Sequence, residues 1–259
     1  MNRPFAALAA AAFAAFALAG PASAEEVVRL ATAPEPYPPF TQISADGKIS
    51  GFEYEIAEAL CAEMKVKCVW VLQAWDGIIP ALLEKKFDAI VASMSITEER
   101  KKVVDFSAKY YDSPAMFVGR KDTVIDITPE GMKGKTVAVQ VSTVHANYIE
   151  AKFKDVVTVK TYDTQENANL DLFAGRVDLV LADSIALEDG LLKTPEGADF
   201  EMKGKPFTDK LMGDGVGVAV RQSDTALRDK FSAAIKAIRA NGTYKAINDK
   251  YFKFDVYGG

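Results

Sequence analysis

Two stretches of the chain read alike: Lys85-Lys86-Phe87-Asp88-Ala89-Ile90-Val91 and Gly175-Arg176-Val177-Asp178-Leu179-Val180-Leu181. Each follows a segment of helical spacing, Ile78 to Leu83 and Asn167 to Ala174, and each turns into a short apolar strand. Strands that alternate with helices pair in parallel sheets. The repeat therefore predicts an α/β fold in two similar lobes, each a mainly parallel sheet flanked by helices.

The remaining segments agree with that plan. Val27 to Thr32 is a first strand, and Pro34, Pro36, Pro38 and Pro39 forbid a regular element after it. Phe52, Ile56, Ala59, Leu60 and Met64 recur at helical spacing with acids opposite. Val66 to Leu72, Lys135 to Val139 and Val156 to Lys160 are further strands, the last two joined by a helix around Ala146 to Phe153. Gly213 to Val220 reads as a glycine-rich strand, followed by a helix from Thr225 to Ala240 and a short one ending near Tyr251. No low-complexity linker separates the lobes. The chain is expected to cross between them at Tyr111 to Pro114 and at Lys210 to Gly215. This gives lobe 1 as residues 25–112 and 212–259, and lobe 2 as residues 113–211.

The first residues are of another kind. Arg3, an apolar run from Phe5 to Ala19, the break Gly20-Pro21 and the site Ala22-Ser23-Ala24 make a secretory signal over residues 1–24, removed after Ala24. Export bears on Cys61 and Cys68, the two cysteines, which would meet an oxidising compartment. Cys61 falls late in a helix and Cys68 early in a strand, so the chain can fold back and join them. Such a bridge is worth roughly 2.5 kcal/mol by loop entropy. The 31 basic and 36 acidic side chains give a net charge of −5, which argues against nucleic acid as a partner.

Chemistry gathers after the carboxyl ends of the strands, where open α/β sheets place ligands. Ser93-Met94-Ser95-Ile96-Thr97-Glu98-Glu99-Arg100 follows one such strand. Its hydroxyls and its arginine, a planar fork that matches a carboxylate, suit a small carboxylate ligand. Alternatively, Arg100 is a surface residue and Ser93 and Ser95 are loop residues. Ser142-Thr143 opens a helix, and the free N–H groups there attract anions, unless Thr143 is only a cap. Asp183 ends another strand and suits an ammonium, or caps its own helix. Tyr37 and Trp75, in loops, can sandwich a ligand stem or contact a cation. Glu35, in the proline-rich loop, is either a selector of ligand side chains or a solvated acid.

Enzyme signals are weak. His145, the one histidine, falls in the first turn of its helix and is read as a surface residue. No nucleophile elbow or zinc-protease motif occurs. Gly213-x-Gly215-x-Gly217 leads into a strand and lacks dinucleotide spacing. No metal or cofactor is expected.

Taken together, several motifs resemble the periplasmic binding proteins for polar amino acids that serve ABC importers, and look most like the lysine/arginine/ornithine and histidine binders. They are Gly51-Phe52-Glu53-Tyr54-Glu55-Ile56-Ala57, the Cys61/Cys68 pair, the run from Gln73 to Leu82, Ser93 to Arg100, Gly213 to Val218, and the ending from Asn241. The resemblance implies a two-lobed, type II periplasmic binding protein fold that closes on its ligand. By motif position Arg100 clamps an α-carboxylate with the Ser95 and Thr143 N–H groups. Asp183 pairs with the α-ammonium, helped by Ser93 and the Ala92 carbonyl, and Tyr37, Trp75 and Val139 contact the side chain. The chain departs from the family at Ala33-Pro34-Glu35-Pro36, Ala92, Val141-Ser142 and Val144, all near the selecting end.

The expectation is a periplasmic, monomeric receptor. It would capture a free L-amino acid, basic or polar, and deliver it to an inner-membrane ABC permease without chemistry. Two rivals are an enzyme of the cyclohexadienyl dehydratase kind and a sensory ligand-binding module.

Overall fold

The computed structural model describes residues 26–258. The expected signal sequence and its cleavage point lie outside the described residues. The first lobe opens with β1 (Val27–Thr32), the hairpin β2 (Gln42–Ile43) and β3 (Ile49–Ser50), α1 (Phe52–Met64), β4 (Lys67–Leu72), α2 (Ile78–Leu83) and β5 (Ala89–Ile90). Strand β6 (Val104–Tyr111) leads across to β7 (Ala115–Arg120). The second lobe continues with β8 (Thr136–Gln140), α3 (Val144–Phe153), β9 (Thr158–Tyr162), α4 (Gln165–Phe173), β10 (Leu179–Asp183), α5 (Ser184–Leu187) and β11 (Phe200–Phe207). The chain returns through β12 (Val216–Arg221), α6 (Thr225–Ala240) and α7 (Thr243–Tyr251).

Two five-stranded sheets result, ordered β4-β1-β5-β12-β6 and β11-β7-β10-β8-β9. The strands are less uniformly parallel than the repeat suggests. In the first sheet β4, β1 and β5 are parallel, whereas β12 runs antiparallel to both of its neighbours. In the second, β8 pairs parallel with β9 and β10, whereas β7 runs antiparallel to β10 and β11. The antiparallel strands are those that carry the chain between lobes. They are built by crossing rather than by strand-helix-strand return, so the handed parallel connection does not apply to them.

The repeated motif is structural in detail. Lys85 and Gly175 each adopt a left-handed conformation, with φ 62° and 67°. After α2 the N–H groups of Lys85 and Lys86 donate back to Leu82 and Ala81; after α4 those of Gly175 and Arg176 donate to Leu172 and Asp171. This is the Schellman closure of a helix end. Asp88 then accepts the Arg29 N–H of the neighbouring strand at 3.0 Å, and Asp178 accepts the Thr136 N–H at 2.8 Å. One acid in each lobe thus fixes the register of a helix-fed strand against its partner.

Helix α1 starts where it does because Gly51, at φ 116°, lets the chain graze Phe40, whose carbonyl oxygen would sit 2.4 Å from any Cβ. Its buried face is Phe52, Glu53, Ile56, Ala57, Leu60 and Cys61. Placing all the acids of this helix on the outer face was therefore wrong for Glu53. Lys65 ends the helix in a left-handed turn, and Cys61 and Cys68 are joined by a disulfide as expected. Helix α6 buries Phe231, Ala234, Ile235 and Ile238, the i, i+3, i+4, i+7 stripe of an amphipathic helix. Gly213 to Gly215 is a crossing turn rather than strand; a Cβ on Gly213, at φ 81°, would meet the Ile96 carbonyl oxygen at 2.1 Å.

Candidate functional site

A cavity enclosing about 620 Å³ of empty space, part of it open to solvent, lies between the sheets. Thr32 at the end of β1 and Ala92 and Ser93 after β5 line it from one lobe; Gln140 at the end of β8 and Asp183 at the end of β10 line it from the other. A smaller adjoining space toward the crossings shares Ser95, Val144, His145 and Asp183 with it.

Arg100 begins a short 3₁₀ turn, whose first N–H donates to the Thr97 hydroxyl at 3.1 Å. Its guanidinium donates to the Ser95 carbonyl at 3.0 Å and to the Ser142 carbonyl at 3.1 Å, and it stacks over the Trp75 ring at 5.4 Å. The other guanidinium N–H groups have no acceptor among the described residues. Burial lowers its pKa to about 10, against the pull of Asp183, so it remains a cation at neutral pH. The Ser95 and Thr143 N–H groups likewise donate to no protein acceptor among the described residues. Thr143 also caps α3, its hydroxyl accepting from the Ala146 N–H. Cap and candidate anion site thus coincide at one helix start.

Asp183 stands opposite. One carboxylate oxygen accepts the Tyr37 hydroxyl at 2.6 Å and the other is 3.8 Å from His145 Nε2. Burial raises its pKa to about 7; Asp112 pushes the same way, and the Tyr37 hydroxyl and Arg100 oppose. His145 was expected at the surface but is 6 % exposed, because α3 turns its first residues inward to the cleft. Burial and then Arg100 depress its pKa to about 3, so the imidazole is neutral and its contact with Asp183 is not an ion pair.

The remaining expected residues divide. Glu35, Tyr37, Trp75, Ala92, Ser93 and Ser95 all line the cavity. Glu35 presents a buried carboxylate oxygen with no hydrogen-bond partner among the described residues. Val139 does not line it: it is fully buried in the core of the second lobe with Val137, Ile149 and Leu181. Strand alternation turns Val139 inward and Gln140 toward the cleft. Glu53 and Gln165 were missed as cavity residues. A helical wheel finds Glu53, since it shares the face of Ile56, Ala57 and Leu60. Gln165 carried no comparable signal, being one polar residue at a helix start.

Hydrogen bonds also join the lobes across the cleft. Trp75 Nε1 donates to the Val141 carbonyl at 3.0 Å, and the Ser142 hydroxyl donates to Asp76 at 2.6 Å. With the Tyr37–Asp183 and Arg100–Ser142 contacts they hold the lobes together around the cavity. Among the described residues no group of three or more His, Cys, Asp or Glu side chains is arranged to hold a metal ion, and no helix is long and apolar enough to cross a membrane.

Comparison with known proteins bears on this arrangement. The family model described as bacterial extracellular solute-binding proteins, family 3, matches residues 28–254. The L-arginine-binding protein of Pseudomonas aeruginosa is 50 % identical over 224 residues, 86 % of each chain. The lysine/arginine/ornithine-binding periplasmic protein of Escherichia coli K12 is 39 % identical over 92 % of each chain. Among solved structures, an ancestral arginine-binding protein bound to arginine superposes with a TM-score of 0.81 at 34 % identity, covering 88 % of this chain and 99 % of its own.

Proposed function

We propose a role that starts from the family: the chain belongs to the bacterial extracellular solute-binding proteins, family 3, and its solute is a free L-amino acid with a basic side chain. The observation that carries this reading is a pair of opposite charges, Arg100 and Asp183, brought to one cavity from different lobes. The α-carboxylate lies on the Arg100 guanidinium and the Ser95 and Thr143 N–H groups. The α-ammonium lies against Asp183, the Ser93 hydroxyl and the Ala92 carbonyl. Tyr37 and Trp75 flank the stem, and the orphaned oxygen of Glu35 receives the cationic tip. Excluding water from these groups strengthens each hydrogen bond.

The lobes comprise residues 25–112 with 212–259 and residues 113–211, and ligand stabilises their closed arrangement. In this reading the chain is exported to the periplasm with cleavage after Ala24, works as a monomer and hands its ligand to an ABC permease without altering it. The relatives named above are binding proteins. One observation favours an enzyme on the same fold: Asp183, with a pKa of about 7, is poised to move a proton at neutral pH. Mass spectrometry of ligand released by denaturing freshly purified protein decides between them. The receptor reading expects a basic amino acid, recovered unchanged after long incubation with the protein; a chemically altered product supports the enzyme. A competition panel in which aspartate or glutamate outcompetes arginine, lysine, ornithine and histidine sinks the basic-ligand assignment.

A further inference from the structure

We infer that Glu53 is a positioning residue of the cleft: its buried carboxylate holds the Ala92-Ser93 turn in the conformation that offers the Ser93 hydroxyl and the Ala92 carbonyl, as acceptors, to the ligand's ammonium. The inference rests on the amino-acid reading above. Glu53 is the second residue of α1, is 1 % exposed and reaches the cavity wall. Its oxygens accept the Ser93 N–H at 2.9 and 3.0 Å and the Ser93 hydroxyl at 3.0 Å. They also accept the Thr41 hydroxyl at 3.3 Å and the Tyr110 phenol. Three separate segments, the proline-rich loop, the turn after β5 and strand β6, thus converge on one carboxylate.

The geometry at Ser93 shows what that carboxylate does. Ser93 has φ 52°, a left-handed conformation that a residue with a Cβ adopts at a cost. Both of its donors, the N–H and the hydroxyl proton, are spent on Glu53. A hydroxyl has one proton to give and two lone pairs to receive. With the proton committed, Ser93 faces the cavity only as an acceptor, which suits an ammonium and repels a carboxylate. The Ala92 carbonyl has no donor among the described residues, so it too is free to accept. Glu53 therefore sets the polarity of this end of the cleft, as Arg100 sets that of the other. Burial raises its pKa, while the Tyr110, Ser93 and Thr41 donors hold it down. Glutamine has the same shape but would turn an amide N–H₂ toward groups that are already donors.

The test compares two ligands on the full exported protein, folded state being checked by circular dichroism. L-Arginine carries the ammonium; 5-guanidinopentanoate is the same molecule without it. Glu53→Gln is expected to weaken arginine at least about tenfold while leaving 5-guanidinopentanoate within about threefold, both read by calorimetric competition. Equal weakening of the two ligands, the mark of a general structural role, overturns the inference, as does an unchanged ratio. Should Glu53→Gln fail to fold, Tyr110→Phe keeps the carboxylate but removes one of its anchors. A selective loss of arginine of about threefold supports the role, and equal loss overturns it. Wild type that binds no free amino acid removes the underlying reading; wild type that binds normally beside a variant of unchanged ratio removes only the role of Glu53.

Discussion

In the first lobe the strand that follows the Schellman turn, β5, runs out into Ala92 and Ser93 and a loop. In the second lobe the corresponding strand, β10, runs out into Asp183 and the short helix α5. Up to that point the two units match: a left-handed closure at Lys85 or Gly175, an acid at 88 or 178 on the neighbouring strand's N–H, then a buried apolar strand. The shared part builds the sheets. The part that differs faces the cavity and decides which charge each lobe offers. A repeated scaffold can in this way bring an arginine from one lobe and an aspartate from the other to one cavity.

The comparison breaks most visibly if either charge is removed. Arg100→Met and Asp183→Ala each leave one buried ligand charge unpaired, at roughly 3–5 kcal/mol, so affinity for the amino acid is expected to fall more than about a hundredfold. Calorimetry on the folded variants checks this. Affinity within about threefold of wild type removes the residue from the clamp.

The lobes also differ in covalent support, since Cys61 and Cys68 both belong to the first. Replacing both by serine is expected to cost about 2.5 kcal/mol of stability, measured by urea unfolding, with ligand affinity unchanged in folded protein. Lost binding in folded protein would place the bridge in the site after all.

A pH series separates the charges of the two lobes. Asp183 sits near pKa 7 in the ligand-free protein because it is buried, and a ligand ammonium favours its ionised form. Binding below pH 7 must therefore expel a proton, and affinity is expected to fall by up to about tenfold per pH unit as pH drops from 7. It levels off above pH 8, where Asp183 is already ionised. Arg100, at about 10, and His145, at about 3, keep their charge states through that window. Proton release measured in buffers of different ionisation enthalpy should shrink to zero above pH 8. A flat affinity between pH 5 and pH 8 contradicts the assignment.

The smallest effect lies in the shared part. Lys85 occupies the left-handed position that Gly175 fills in the other lobe, so Lys85→Gly is expected to stabilise by about 1 kcal/mol and Gly175→Ala to destabilise by about as much. Equal shifts of the same sign in thermal unfolding would mean that the two turns are not equivalent.

Much of this was legible in the chain itself. Helix α1 and helix α6 fall on the residues that the spacing predicts, since a stripe of Phe231, Ala234, Ile235 and Ile238 admits one face only. Arg100 and Asp183 were visible as candidates because one lies in the loop after a strand and the other ends a strand. What was not legible depended on long-range geometry. The antiparallel strands arise where the chain changes lobes, which no local pattern records. Val139 was read one residue out of phase with Gln140, and in a strand one residue reverses the face. His145 is buried because α3 turns its first residues into the cleft, and the buried helix face that carries Glu53 does not by itself announce Ser93, distant in sequence, as its partner.

Calorimetric titration of ligand-free protein with L-arginine, agmatine and 5-guanidinopentanoate tests most directly whether Arg100 and Asp183, from opposite lobes, read the two charged ends of one ligand. Agmatine lacks the carboxylate that Arg100 is to hold, and 5-guanidinopentanoate lacks the ammonium that Asp183 is to hold. The account predicts that L-arginine binds and that each truncated ligand is weaker by more than about a hundredfold. Either truncated ligand binding within about threefold of L-arginine would contradict it.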